Sequence, residues 1–138
     1  MLLRNVPSPN GLVLTPNEDI LYLAVTRNNA VWRVPLLADG KIGRVGIFIQ
    51  LSGGMGPDGM AMDAEGSLAI CHVGMGSVWL FSRLGRPLAE LQSCAGVGTT
   101  NAAYGGPERK TLYITESETG TILSARLDVP GKVMYSHM

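Results

Sequence analysis

Residues 56–73 read GPDGMAMDAEGSLAICHV: a Pro-Asp-Gly opening, a short apolar stretch, a Gly-bearing turn and a second apolar stretch. The same order recurs at Pro9-Asn10-Gly11-Leu12 and at Thr100-Asn101-Ala102-Ala103. The openings lie about 45 residues apart, the length of one four-stranded propeller blade. In each copy the opening reads as a turn onto a first strand, GLVLT (11–15), GMAMD (59–63) or NAAYG (101–105). Hairpin-closing residues follow: Pro16-Asn17-Glu18-Asp19, Ala64-Glu65-Gly66 and Gly106-Pro107-Glu108-Arg109.

The remaining strands keep the order. Second strands are ILYLAVT (20–26), SLAICHV (67–73) and TLYITES (111–117), and third strands are AVWRVPL (30–36), SVWLFSR (77–83) and TILSARL (121–127). Fourth segments are GRVGIFIQL (43–51), RPLAELQ (86–92) and KVMYSHM (132–138). The offset from Asn10 to Leu21 is eleven residues, from Asp58 to Leu68 ten, and from Asn101 to Leu112 eleven. No stretch of helical period competes. A β-sandwich would not require the motif itself to repeat. The expected fold is therefore all-β, with three four-stranded blades over 9–51, 57–92 and 100–138 forming one domain, half of a six-bladed propeller.

Such radial packing needs apolar residues on both faces of a blade. Leu21, Leu23, Val25, Ile70, Leu112 and Ile114 fit that need, and Trp32 and Trp79 are expected as core between blades. Met55, Met60, Met62 and Met75 read as gap-filling residues in core and loops.

Composition narrows the function. The 138 residues hold eleven basic and eleven acidic side chains, so neither a nucleic-acid stripe nor a polybasic membrane patch is present. The opening MLLRNVPSPNG carries no sustained apolar run, and no stretch approaches the ~18 residues of a membrane span. A cytoplasmic location is the expectation. Cys71 and Cys94 lack metal-site spacing and fit a reducing compartment at least as well as a disulfide. Cys71 is expected buried in its strand and Cys94 exposed. No G-x-S-x-G elbow supports a serine triad.

The phrases SPNGLVLTPNEDILYLA, GPDGMAMDAEGSLAI and TNAAYGGPERKTLYITESETG together resemble the C-terminal half of the senescence marker protein/gluconolactonase family, also called regucalcin-like. The resemblance spans roughly residues 8–128. It implies a six-bladed propeller with one divalent cation, most often calcium, at the end of the central channel, and hydrolysis of lactones such as sugar lactones. Zinc, manganese or magnesium are the other cations it allows. By motif, Asn10 is implied as a metal ligand, and Asp58 as a metal ligand and general base. Asn101 matches a common family residue that is not itself a recognised ligand. The glutamate ligand of the family's first blade and a further contacting asparagine belong to a half this sequence does not contain.

Asn10 and Asp58 supply one amide oxygen and one carboxylate, whereas calcium takes about six to eight oxygens. Three blades also leave two sheet faces open. A homodimer joining three blades to three about a two-fold axis would answer both shortfalls. Strand direction adds Arg27, His72 and Glu116 as candidate substrate-contacting residues beside Asn101, since the exits of second strands face the same end as the motif. The small-molecule ligand implied is a lactone or sugar derivative. The alternatives are a non-catalytic propeller-like binding protein or scaffold, a truncated relic with a vestigial metal site, and an enzyme of different chemistry on a related fold.

Overall fold

The structure, a computed structural model, describes residues 1–134. Eleven strands form three antiparallel sheets. Sheet I holds β1 (Pro9–Leu14), β2 (Ile20–Val25), β3 (Ala30–Pro35) and β4 (Gly46–Gln50), in that order. Sheet II repeats it with β5 (Gly56–Met62), β6 (Leu68–Val73), β7 (Ser77–Phe81) and β8 (Pro87–Gln92). Sheet III has β9 (Thr99–Gly105), β10 (Thr111–Glu116) and β11 (Thr121–Arg126). One 3₁₀ turn, Thr26–Asn28, follows β2.

The fourth strand expected over 132–138 is not seen in the described part. Gly131 instead bridges to Asp63, the Lys132 N–H bonds the Met62 carbonyl at 3.0 Å, and the Lys132 Nζ reaches the Leu14 carbonyl at 2.9 Å. Pro130 and Gly131 also accept from and donate to Ala64 and Arg109. Gly131 is required here: a Cβ would sit 2.1 Å from that of Tyr104. The backbone thus spends its polar groups tying the three sheets together where β1 and β5 end. Residues 135–138 of the expected strand lie outside the described residues.

Alternation along the strands builds two cores. Tyr22, Ala24, Val31 and Ile49 of sheet I meet Met60, Met62, Leu68 and Ile70 of sheet II, with Trp79 and Phe81 packed alongside. The other face of sheet II gives Ala61, Ala69, Cys71 and Val78 to Ala102, Leu112 and Ile114 of sheet III. Sheet II is thereby apolar on both faces, as the two-sided cover requires. Cys71 is fully buried, and burial, with the Asp58 charge, pushes its thiol up to about 12, while Cys94 is exposed and both thiols are free.

The outer faces differ. Trp79 joins the core between sheets, but Trp32 pairs with Leu23 on the face of sheet I turned away from sheet II. Leu21, Leu23 and Val25 share that face by alternation. On sheet III, Tyr113, Thr115 and Ile122 are exposed at the register where the other sheets carry Tyr22, Ala24 and Val31 or Ala69, Cys71 and Val78.

Candidate functional site

The repeated opening is a bulge inside the first strand rather than a turn before it. Pairing of β1 with β2 jumps between Pro9 and Leu12, and pairing of β5 with β6 jumps between Pro57 and Met60. Asn10-Gly11 stand against Ala24 alone and Asp58-Gly59 against Cys71 alone, one extra residue in each, and a matching irregularity lies in sheet III opposite Thr115 and Glu116. A bulge re-aims the side chains it carries. Asx-Gly favours turns and bulges alike, so composition alone did not separate the two.

The glycines of the motif are there for space. A Cβ on Gly11 would lie 2.3 Å from the Asp58 carbonyl oxygen, and one on Gly59 would lie 2.1 Å from Asn101 Oδ1 and 2.7 Å from Asn101 Cα. First strands of neighbouring sheets therefore meet backbone to backbone. That contact sets Asn10, Asp58 and Asn101 in one row across three sheets.

Asn10 and Asp58 are coupled directly. Burial raises the Asp58 pKa above the ordinary aspartate value, and a hydrogen bond from the Asn10 side chain opposes the rise. Among the described residues no lysine or arginine forms an ion pair with Asp58; the ion pairs are Lys41–Asp39 and Arg126–Glu108. A half-buried carboxylate without a cationic partner is electrostatically incomplete, and a cation would relieve it. The donors offered, an amide and a carboxylate, are hard oxygens that suit calcium or magnesium better than a soft metal. No cluster of three or more His, Cys, Asp or Glu is found among the described residues. The row therefore fits one side of a hard-cation site.

Thr26 is a site residue that sequence reasoning missed. Its hydroxyl donates to the Pro57 carbonyl at 2.8 Å and accepts from Asn10 Nδ2 at 3.4 Å, linking sheet I to the residue before Asp58. Gly56 (φ +119°) makes room, because a Cβ there would meet the Thr26 carbonyl at 2.2 Å. The register equivalents of Thr26 are Val73 and Ser117, so no repeat signal marked it.

The other candidates are placed differently. Asn101 is exposed beside Gly59, its Oδ1 accepting from the Ala102 N–H at 2.9 Å. Arg27 is exposed in the 3₁₀ turn at the motif end. His72 is fully buried: its Nε2 lies 3.0 Å from the Gly53 carbonyl and its Nδ1 accepts from Trp79 Nε1 at 3.2 Å. A carbonyl only accepts and an indole only donates, so the proton sits on Nε2. Burial lowers the His72 pKa, opposed by the Gly53 bond and the Glu90 charge.

Glu116 is buried as well, at 1% exposure. Its carboxylate accepts the N–H groups of Gly98 (3.0 Å), Glu118 (2.9 Å) and Thr119 (2.9 Å), and also the Thr119 hydroxyl. Those bonds, the Thr119 hydroxyl first and against burial, hold its pKa down at about 2. His72 and Glu116 occupy the same register at the ends of β6 and β10, and each fastens the loop that enters its own sheet, at Gly53 and Gly98. In both, the polar atoms are engaged by the protein.

Comparison with known proteins agrees with this geometry. Residues 1–118 match the family described as SMP-30/Gluconolactonase/LRE-like region. Among curated relatives, 6-deoxy-6-sulfogluconolactonase of Pseudomonas putida is 31% identical over 137 residues, covering 88% of this chain and 47% of the relative. A crystal structure of a putative gluconolactonase aligns at TM-score 0.81 and 29% identity, over 96% of this chain and 43% of that one. Regucalcin of Agrobacterium tumefaciens, described as a calcium-binding protein, aligns at 0.75 and 28%, over 92% and 48%. The chain spans about half the length of each of these relatives. The match runs through strands of all three sheets, and the chain belongs to the SMP-30/gluconolactonase family.

Proposed function

We propose that this chain is a divalent-metal-dependent hydrolase of the sugar-lactone lactonase type, working as a homodimer whose two half-rings close one six-bladed propeller. The observation that carries the reading is the Asn10–Asp58 pair: hard oxygens side by side at an inter-sheet seam, with a carboxylate raised by burial and no basic partner among the described residues. The calcium-binding description of the regucalcin neighbour favours calcium.

Asn10 and Asp58 would hold the cation. Two-fold pairing would bring two of each side chain around one channel, about four protein oxygens, with water completing the usual six to eight. A bound divalent cation polarises a carbonyl and lowers the pKa of water. Asp58 would accept a proton from water at its carboxylate. Thr26 fixes the Pro57 carbonyl and so the approach of Asp58 to Asn10. Asn101 and Arg27, both exposed near the row, are the substrate contacts this reading favours. His72 and Glu116 would act through the loops they hold.

Cover of the open faces supports the pairing. Tyr113 and Ile122 stand at core register on an exposed face of sheet III, which a second copy would cover. The test is thermal melting with and without calcium, magnesium, manganese or zinc, read beside hydrolysis of a gluconolactone. A cation-induced rise in Tm that vanishes in Asp58→Ala, together with lost hydrolysis, is the expected result. No shift with any of the four ions would favour a non-catalytic binding protein or scaffold.

A further inference from the structure

We propose that the free edge of β11 is a strand-accepting surface, and that its occupant is the N-terminal segment of a second copy of this chain. The inference rests on the paired-ring reading above and specifies the seam at which the copies join.

Sheets I and II each end in a fourth strand, and sheet III stops at β11 among the described residues. The position of the missing strand follows from the links. β4 ends at Gln50 and β5 begins at Gly56, leaving residues 51–55 between them; β8 ends at Gln92 and β9 begins at Thr99, leaving 93–98. A fourth strand thus feeds the first strand of the next sheet through five or six residues. Counting back from Pro9, the same links end at Arg4 or Leu3. The residues before that, Met1 to Leu3, fall where a fourth strand finishes.

Their chemistry fits the place. The corresponding residues of the complete sheets are Ile49 and Leu91, which lie in or against the inter-sheet cores. Met1 and Leu2 are apolar and stand 92% and 51% exposed in the single chain. They carry the side chains of a core position without its cover.

A second, separate feature marks the receiving edge. In each sheet the residue just before the third strand is left-handed: Asn29 (φ 50°), Gly76 (φ 62°) and Gly120 (φ 68°). The Asn29 carbonyl accepts the Leu51 N–H at 2.8 Å, and the Gly76 carbonyl accepts the Ser93 N–H at 2.7 Å. Each donor is the first residue after a fourth strand. Nothing lies within 4 Å of where a Gly120 Cβ would be, and no backbone N–H among the described residues bonds its carbonyl. The geometry pairs that carbonyl with the N–H of Leu3 or Arg4 of the partner subunit. An unpaired edge also offers a row of N–H and C=O groups to an incoming strand.

Hydrogen exchange on the full chain, across concentrations that span its self-association, tests the assignment. A Leu3→Pro/Arg4→Pro variant removes the two candidate donors from a segment outside every sheet, so folding is retained. The expected result is that the β11 amides facing away from β10 slow at least about tenfold as the dimer forms, and that the variant loses this protection. A dimer whose β11 amides exchange as fast as in the monomer overturns the strand assignment and leaves the paired ring standing. Protection unchanged in the double-proline variant, or present in the monomer, also overturns it, since another segment then covers the edge. A chain that stays monomeric with β11 unprotected overturns both readings.

Discussion

Asp58 and Glu116 are both carboxylates near strand ends, yet their surroundings drive them in opposite directions. Glu116 is saturated by N–H and O–H donors and held at about 2, while Asp58 is raised by burial with one amide for company. For Glu116, folding lowers the pKa from an ordinary 4.5, so its stabilising contribution is present above that value and is lost as pH falls toward about 2. Glu116→Gln should therefore lower Tm at neutral pH, and the gap to the parent should narrow as pH drops through that window, read by thermal melts across pH. Thr26→Val leaves the Pro57 carbonyl without its 2.8 Å donor, a loss of about 1–3 kcal/mol for a buried acceptor. Urea titration should show that loss, and terbium luminescence should show cation binding weakened severalfold, with Thr26→Ser restoring both. An undiminished affinity in the valine variant would remove Thr26 from the site.

The elements themselves were largely legible in the sequence. Turn chemistry and alternating apolar residues marked all eleven strands to within a few residues, because each sheet repeats one order under one set of offsets. The bulge was not legible: Asn-Gly and Asp-Gly spell a turn as readily, and what distinguishes them is a neighbouring sheet that approaches within a Cβ's width. His72 and Glu116 were legible as strand-end residues, but their burial depends on the loops at Gly53 and Gly98, which lie 19 and 18 residues away. Of the strand expected from Lys132 onward, only residues 132–134 are described. Its apolar character suits a strand, but Gly131 and Lys132 bond to sheets I and II instead. Gly59→Ala is the sharpest test of the seam. Its methyl would press on Asn101 backbone and side chain, so a destabilisation of about 1–3 kcal/mol is expected by denaturant titration, with cation binding lost as the row is displaced.

At the scale of the whole molecule, three sheets leave the Asn10–Asp58–Asn101 row short of the oxygens that a hard cation would take, and one face of sheet III exposed. Tyr113 and Ile122 lie on that face, at positions that are core in sheets I and II. The chain belongs to the SMP-30/gluconolactonase family and spans about half the length of its relatives. Function at this scale becomes a question of mass. Size-exclusion chromatography with light scattering at micromolar concentration, in calcium, measures it directly. The account predicts a dimer of twice 14.6 kDa; a stable, well-folded monomer of 14.6 kDa would contradict it.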